Sequence, residues 1–480
     1  MNNLTTMKTY RNHILLLLIS FLFMTSCGIT KKYKTPEMET QGLYRTEAGY
    51  KDSLKALSAL PMETFFTDSL LNGYLDEAMA KNHDMRIAFE RIQIAGAMFK
   101  QSKRAFLPTL QGNASVARSK LSFTQGYGLV DNVTQYDISL TTSWEADIWG
   151  KLGSAKRARL AGLLKAEGAK QAVQSALVAN VATKYFQLIA LDQQLKVLRE
   201  TAENRKSYVV TMNKLKQANV VNGAAVVQSE ANQFQAELVI PDVERQIRET
   251  ENGLSVLLGR KPGSIPRSSY DSMAQEVSME LSIGVPSQLL LNRPDVIQSE
   301  LAFREAFENT NVAQASFYPS FTITGASGFS SFEFDDLFKE NVGLFANVAG
   351  GLLQPIFNRG TLKANLKVAK SEQQIAYYTF EQTLLTAGQE VSDALFAYQQ
   401  ADIKCEKRIG QLEALNKSVS YTKRLLEYSS QTNYTDVLTS EQNLLSAEMQ
   451  GIMDVLERKV SVINLYRALG GGWQTMGEDE

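Results

Sequence analysis

Few residue types in this chain are suited to catalysis. Histidine occurs twice, at His13 and His83, and cysteine twice, at Cys27 and Cys405. That leaves little material for a Ser-His-Asp triad or a multi-histidine metal site. Two cysteines supply neither a disulfide framework nor a Cys-rich zinc site. His83, in Asn82-His83-Asp84, reads as an exposed helix residue, and Cys405 as a packed thiol in mid-helix. Gly470-Gly471-Gly472 before Trp473 lacks the Lys-Ser/Thr and the strand of a phosphate cradle, so it reads as a helix cap and exit loop. Carboxylate pairs such as Glu230 with Glu237 read as solvated helical faces. The 50 Lys+Arg balance 51 Asp+Glu over 480 residues, a net charge of -1. A nucleic-acid partner would demand a basic excess. No enzyme, metal or cofactor is expected, and with no nucleotide motif any energy must come from a partner.

Cys27 is the one residue in a setting that prescribes a reaction. Lys8 and Arg11 precede an apolar run from Ile14 to Met24, too short to span a bilayer as a helix and suited to a signal sequence. The run ends in Met24-Thr25-Ser26-Cys27-Gly28, two small residues and then Cys, which resembles a lipoprotein processing site with Met24 in place of the usual Leu. Cleavage before Cys27 would place acyl chains on that residue and anchor the chain in a membrane leaflet. Gly28 rather than Asp after the modified residue favours, by the same resemblance, sorting to the outer membrane. The alternative is an ordinary secretory signal in which Cys27 is incidental.

The elements that carry the rest come in two copies. Phe106-Leu107-Pro108-Thr109 and Phe317-Tyr318-Pro319-Ser320 each open a stretch rich in Ser, Thr, Gly and aromatics. The first closes at Trp149-Gly150 and the second at Phe357-Asn358-Arg359-Gly360, giving offsets of 211 and 208 residues. A duplication with a period near 210 makes two halves of one architecture. Between them, Gly259 to Pro294 holds four of the ten prolines.

Within each copy the hydrophobic period is two. Ile138, Leu140, Trp144, Ala146 and Ile148 alternate with Ser139, Thr141, Ser143, Glu145 and Asp147. Val342, Leu344, Ala346 and Val348 alternate less cleanly with Gly343, Phe345, Asn347 and Ala349, and Phe321 and Ile323 with Thr322 and Thr324. This predicts two hairpins, with tips near Gly126–Gly128 and Phe334–Asp336, whose strands match the ~9–11 residues of a tilted membrane β-strand. Trp144 and Trp149 at the hairpin base read as a membrane-interface girdle, with core packing the alternative. Elsewhere the period is helical. Val173, Leu177, Val181, Tyr185, Leu188, Leu191, Leu195 and Leu198 recur at about 3.57 residues, between straight-helix and coiled-coil values. Long helices are predicted over 151–218 and 359–427, each about 100 Å. Shorter ones are predicted over 69–105, 222–258, 289–316 and 434–468.

Geometry then constrains assembly. A four-stranded sheet in lipid exposes two rows of unpaired backbone groups, each costing several kcal/mol, and four strands are too few to close a barrel. Copies must associate, which also rings the long helices around an axis. Two, three or four copies all satisfy this requirement.

The chain resembles the outer-membrane efflux factor family, the TolC-like channels, in particular the lipoprotein branch serving RND pumps. The resemblance spans nearly the whole mature chain. It rests on Cys27 with Tyr33 and Pro36; Ala78 with Asn82 and Asp84; Ala105 to Pro108; Trp144 to Gly150; Tyr185-Phe186-Gln187-Leu188; and Leu257 to Arg260 with Pro262. It continues with Arg293-Pro294-Asp295, Phe317 to Ser320, Gln354-Pro355-Ile356-Phe357, Glu390-Val391 and Leu469 to Trp473. It implies an α+β membrane protein of two repeats. Long antiparallel helical hairpins would form a periplasmic α-barrel, and four strands per chain would contribute to a 12-stranded transmembrane β-barrel in a homotrimer. A periplasmic membrane-fusion adaptor and an inner-membrane RND-type pump would be its partners, with no nucleic acid.

The implied domains are a signal peptide 1–26, a lipid-anchored extended segment 27–68, a first repeat 69–258 with hairpin 109–149, a linker 259–288, a second repeat 289–468 with hairpin 318–356, and a tail 469–480. Gly is frequent at the family's helix-helix turns; here Asn219 and Ser430 stand there, with Asn222 and Gly223 beside the first, as expected adaptor contacts. Ala225 replaces an Asp often found after the first turn. Asp436 is retained after the second and is expected to form an acidic ring at a periplasmic gate, with Asn433 and with Thr439 where a second acid is often found. A helix N-terminal Asp that complements the dipole is the alternative, compatible reading. The expected function is passive export of small molecules, drugs or metals; the rivals are a protein-secretion duct and a lipid-anchored coiled-coil adaptor.

Overall fold

A computed structural model describes residues 29–40, 42–43, 45, 61–120, 132–274, 292–428 and 434–473. The first half runs α1 (Met62–Phe65), α2 (Ser69–Lys81), α3 (His83–Arg104), β1 (Thr109–Lys120), β2 (Asn132–Ala146), α4 (Lys151–Gln217) and α5 (Gly223–Leu257). A short α6 (Tyr270–Ala274) follows. The second half runs α7 (Pro294–Ala315), β3 (Ser320–Ser331), β4 (Leu344–Leu353), α8 (Thr361–Tyr428) and α9 (Tyr434–Ala468), with a 3-10 turn at Phe334–Asp336 before β4. Helices α4 and α8 have 67 and 68 residues, and α5 and α9 have 35 each. Among the described residues no helix is long and apolar enough to cross a membrane.

The chain divides into two compact units. One comprises residues 1–37, 92–165 and 299–380 and holds the sheet; the other comprises 38–91, 166–298 and 381–480 and is helical. The helical unit has a continuous apolar core in which Leu71, Leu75, Tyr185, Leu188, Leu254 and Leu258 are all but fully buried. Burying each such side chain contributes roughly 1.5–3 kcal/mol.

Local chemistry sets the ends of the helices. The Asp68 carboxylate accepts from the backbone N–H of Leu70 (2.9 Å) and Leu71 (3.2 Å), capping α2. Pro294 occupies the first position of α7, where its missing N–H costs nothing. After α5 and α9 the chain turns through left-handed glycines, Gly259 (φ 66°) and Gly470 (φ 91°). The following N–H groups bond back into the last turn, Arg260 to Ser255 O and Gly471 to Tyr466 O. These are two Schellman terminations 211 residues apart in sequence.

Several sequence expectations need correction. The helix expected over 69–105 is interrupted: Asn82 is extended (ψ 136°), its side-chain oxygen accepts from Asp84 and Met85, and its Nδ2 donates to Leu257 O. One Asn thus ends α2, caps α3 and ties both to the end of α5. Val342 and Gly343 belong to a turn, their N–H groups bonding Lys339 O, so β4 starts at Leu344. The predicted helix over 289–316 begins at Pro294; residues 289–291 and the hairpin tip near Gly126–Gly128 lie outside the described residues.

Candidate functional site

In the sheet unit, the strands lie in the order β1-β2-β3-β4, every pair antiparallel. Register assigns the two faces. Tyr136, Ile138, Leu140 and Trp144 of β2 stand opposite Val116, Ala114 and Gly112 of β1, and opposite Phe329, Ser327 and Ile323 of β3. Phe329, Gly325 and Phe321 in turn stand opposite Leu344, Val348 and Leu352 of β4. Cross-strand partners share a face, so this face is predominantly apolar. Asp137, Ser139, Thr141, Ser143 and Glu145 of β2, with Thr322 and Thr324 of β3, form a polar opposite face. The apolar side chains are exposed, Val348 at 82% and Leu110 at 73%. Strands β1 and β4 are both open edges.

The base of the hairpins is cross-braced by indoles. Trp144 Nε1 donates to Phe106 O at 2.9 Å, and Trp149 Nε1 to Pro319 O at 2.6 Å. The Trp149 ring lies 5.2 Å from that of Tyr318. Both indole N–H groups are therefore satisfied by protein carbonyls, and each Trp joins strand-end segments far apart in sequence.

The N-terminal segment after residue 28 packs along α7. Asn311 holds Lys31 through two bonds, accepting from its N–H (3.1 Å) and donating to its C=O (2.9 Å). Tyr33 donates to Glu300 at 2.9 Å, and its ring meets those of Phe303 and Phe307. Burial, and then the Glu300 carboxylate, push the Tyr33 phenol well above its usual range. Beneath this segment, buried Glu308 accepts from Arg157 at 2.7 Å and from Asn311 at 3.1 Å. Cys27 itself lies outside the described residues.

The second candidate region belongs to the helical unit. Asn219, in the α4–α5 turn, is left-handed at φ 59°, with Val220 N–H bonded to Leu215 O. Asn tolerates this conformation better than most non-glycine residues. Asn222 caps α5 by accepting from Ala225 N–H at 3.1 Å, and Gly223 is the first residue of α5. Asp436 stands in the first turn of α9, with Thr439 three residues on, where its hydroxyl bonds Thr435 O. Ser430 and Asn433 lie outside the described residues. The structure therefore gathers Asn219, Asn222 and Gly223 in one turn, and Asp436 and Thr439 on one helical face.

Polar ties that sequence reasoning missed join the same helices. Arg205 of α4 donates to Asn232 O of α5 and to Gln442 of α9. Tyr208 donates to Glu441 at 2.9 Å, and Lys423 of α8 pairs with the same carboxylate at 2.9 Å. Burial first, and Glu441 after it, raise the Tyr208 pKa. No local pattern announces these pairs, because their partners are up to 237 residues apart.

A four-stranded sheet with one greasy and one polar face, in a chain with two long helices of nearly equal length, defines a class of envelope channel. The family profile described as outer membrane efflux protein matches the chain twice, over residues 74–260 and 285–471, and the chain belongs to that family. Both matches end on the residue that closes a Schellman termination, Arg260 and Gly471. The solvent efflux pump outer membrane protein SrpC of Pseudomonas putida is 31% identical over 476 residues, covering 95% of this chain and 97% of that one. The cation efflux system protein CusC of Escherichia coli O6:H1 is 29% identical over 457 residues, covering 94% and 97%. Among solved structures, the open state of the MtrE outer membrane channel of Neisseria gonorrhoeae aligns with TM-score 0.81 at 27% identity, covering 93% of this chain and 99% of that one. The protein is an outer-membrane efflux component.

Proposed function

We propose that this chain is one subunit of a homotrimeric duct that carries small molecules passively from a periplasmic adaptor and an inner-membrane RND-type pump to the exterior. The observation that carries this reading is the sheet, with its faces of opposite polarity and its two open edges. In lipid, both rows of edge groups need partners. Three copies joined β4 to β1 would supply about 12 strands, an apolar outside and a hydrophilic bore. The long helices would continue the bore as a periplasmic α-barrel.

Within this reading, Cys27 carries the acyl anchor and the braced Trp144 and Trp149 lie near the inner membrane boundary. The first-repeat turn at Asn219, Asn222 and Gly223, with Ser430 of the second, meets the adaptor. Asp436, with Thr439 and Asn433, narrows the closed periplasmic end. The repeats occupy 69–258 and 289–468. SrpC is named for solvents and CusC for cations, which supports a shared channel design whose selectivity rests with the pump and adaptor.

The test is to purify the full-length protein in detergent and to measure subunit number and single-channel conductance on the same preparation. A trimer with a stable conductance is expected; a folded monomer, or one soluble without amphiphile, refutes the reading. Asp436→Ala is expected to raise the closed-state conductance in planar bilayers. Unchanged conductance would leave Asp436 as a helix N-terminal charge alone.

A further inference from the structure

The turn between β3 and β4 carries three exposed phenylalanines, Phe332, Phe334 and Phe338, among the carboxylates Glu333, Asp335, Asp336 and Glu340. It is a well-bonded turn. Leu337 is buried, Val342 and Gly343 both bond Lys339 O, and Ser330 N–H donates to Gly343 O at 2.7 Å.

Ring contacts show which way two of the phenylalanines lean. Phe334 meets Tyr136 edge-on with centroids 5.5 Å apart, and Phe338 meets Phe329 in the same manner at 5.6 Å. Tyr136 shares the apolar face with Ile138, Leu140 and Trp144, and Phe329 stands opposite Ile138 on that face. The turn therefore folds back over the apolar side of the sheet, away from the face bearing Asp137, Ser139 and Thr141. Tyr136 and Phe329 belong to the two inner strands, so a neighbouring copy joining at β1 or β4 would leave this cluster uncovered.

Spacing identifies what covers it. Tyr136 and Trp144 stand eight residues apart on one face of β2. At about 3.4 Å per residue and a tilt near 40°, that separation projects to roughly 21 Å along the membrane normal, close to the ~25 Å apolar band between aromatic girdles.

Building on the membrane-sheet reading above, we propose that Phe334 and Phe338, with Tyr136 and Phe329, form a lipid-seated aromatic band at the external interface. The β3–β4 turn then rests in the headgroup layer of the outer leaflet instead of lying across the mouth of the bore.

The test uses full-length protein with Cys405→Ala, nitroxide-labelled at single introduced cysteines and reconstituted in phosphatidylcholine–phosphatidylglycerol vesicles. Phe338→Cys is the direct probe. Lys339→Cys keeps every ring in place and covers the event that Phe338→Cys does not assemble. Leu140→Cys and Asp137→Cys report the two sheet faces. Labels at 338 and 339 should collide several-fold more with oxygen, relative to a water-soluble nickel chelate, than the label at 137. In a channel with Phe334→Ala and Phe338→Ala, open-state conductance should be unchanged. Labels at 338 and 339 matching 137 while 140 keeps a lipid signature would overturn this proposal alone, as would a rise in conductance in the double variant. A water-exposed label at 140 would overturn the membrane-sheet reading with it.

Discussion

Helices α4 and α8 are nearly equal in length and hold equivalent places in the two halves, yet they are covered very differently. Along α4, Val210 is the one large apolar side chain exposed among the described residues. Along α8, Val368, Ile375, Tyr378, Leu385, Phe396 and Ile403 are all exposed. At 100° per residue these six fall within an arc of about 100°, a helical stripe that Tyr421, Leu425 and Tyr428 continue, while exposed Ile409 lies on the opposite side. The two halves agree in element lengths and terminations and differ in burial. One long helix is packed within its own subunit, and the other keeps an apolar stripe that the proposed association would bury. In a ring of identical chains, this divides the work of holding a subunit together from that of joining it to the next.

The sharpest way to break the comparison is to charge the α8 stripe. Phe396→Glu with Ile403→Glu should abolish the assembled species in detergent sizing, whereas Val210→Glu on α4 should leave it intact. Equal effects would remove the distinction. The next largest effect belongs to the covered helix. Leu188→Ala should lower the unfolding free energy by about 2–5 kcal/mol in denaturant titrations, because it empties a site closed on all sides.

The glycine terminations sharpen the contrast between like backbone ends and unlike side-chain cover. A Cβ at Gly259 would lie 2.6 Å from Lys81 O, and one at Gly470 would lie 2.5 Å from Asn292 O. At left-handed Gly360, before α8, a Cβ would meet nothing within 4 Å. Gly360→Ala should cost only the left-handed penalty of about 1–2 kcal/mol. Gly259→Ala and Gly470→Ala should each cost more in thermal unfolding, by similar amounts.

A further expected effect is a pH slope that one half has and the other lacks. Lys459 of α9 lines a cavity with Phe65, Phe66, Leu71, Phe186, Met273 and Ile463. Burial, and then Arg458, lower its pKa to about 8. The folded state therefore releases this proton before the unfolded chain, whose lysine titrates near 10.4, so stability should rise as pH climbs from about 8 to 10. Lys459→Met should flatten that slope. Arg248, 211 residues earlier on α5, is exposed, and Arg248→Met should leave the slope unchanged.

Much of this architecture is legible in the sequence because periodicity is a local property. The alternation in β2 and the helical period along α4 each follow from a few neighbouring residue types, whereas the turn at Asn219 is legible only through the family resemblance. What escaped depends on partners supplied by the fold. The break at Asn82 needs a carbonyl 175 residues away, at Leu257. The Tyr208–Glu441–Lys423 tie needs three helices brought together. The unequal cover of α4 and α8 is equally hidden, since both carry apolar residues at helical spacing and only tertiary packing decides which are buried. In the sequence the aromatic turn is a hairpin tip and nothing more, because its lean towards one face is set by rings on β2 and β3.

The start of α7 and the end of α9 are knotted together. Arg293 donates to Ala468 O and to Glu390, Trp473 Nε1 donates to Asn292 O, and Ser175 donates to Gly471 O at 2.6 Å. All of these clasps but the one to Glu390 need residues 468 to 473, the last described part of the chain. A chain cut before residue 468 would therefore leave two places loose, the start of α7 at Arg293 and α4 at Ser175.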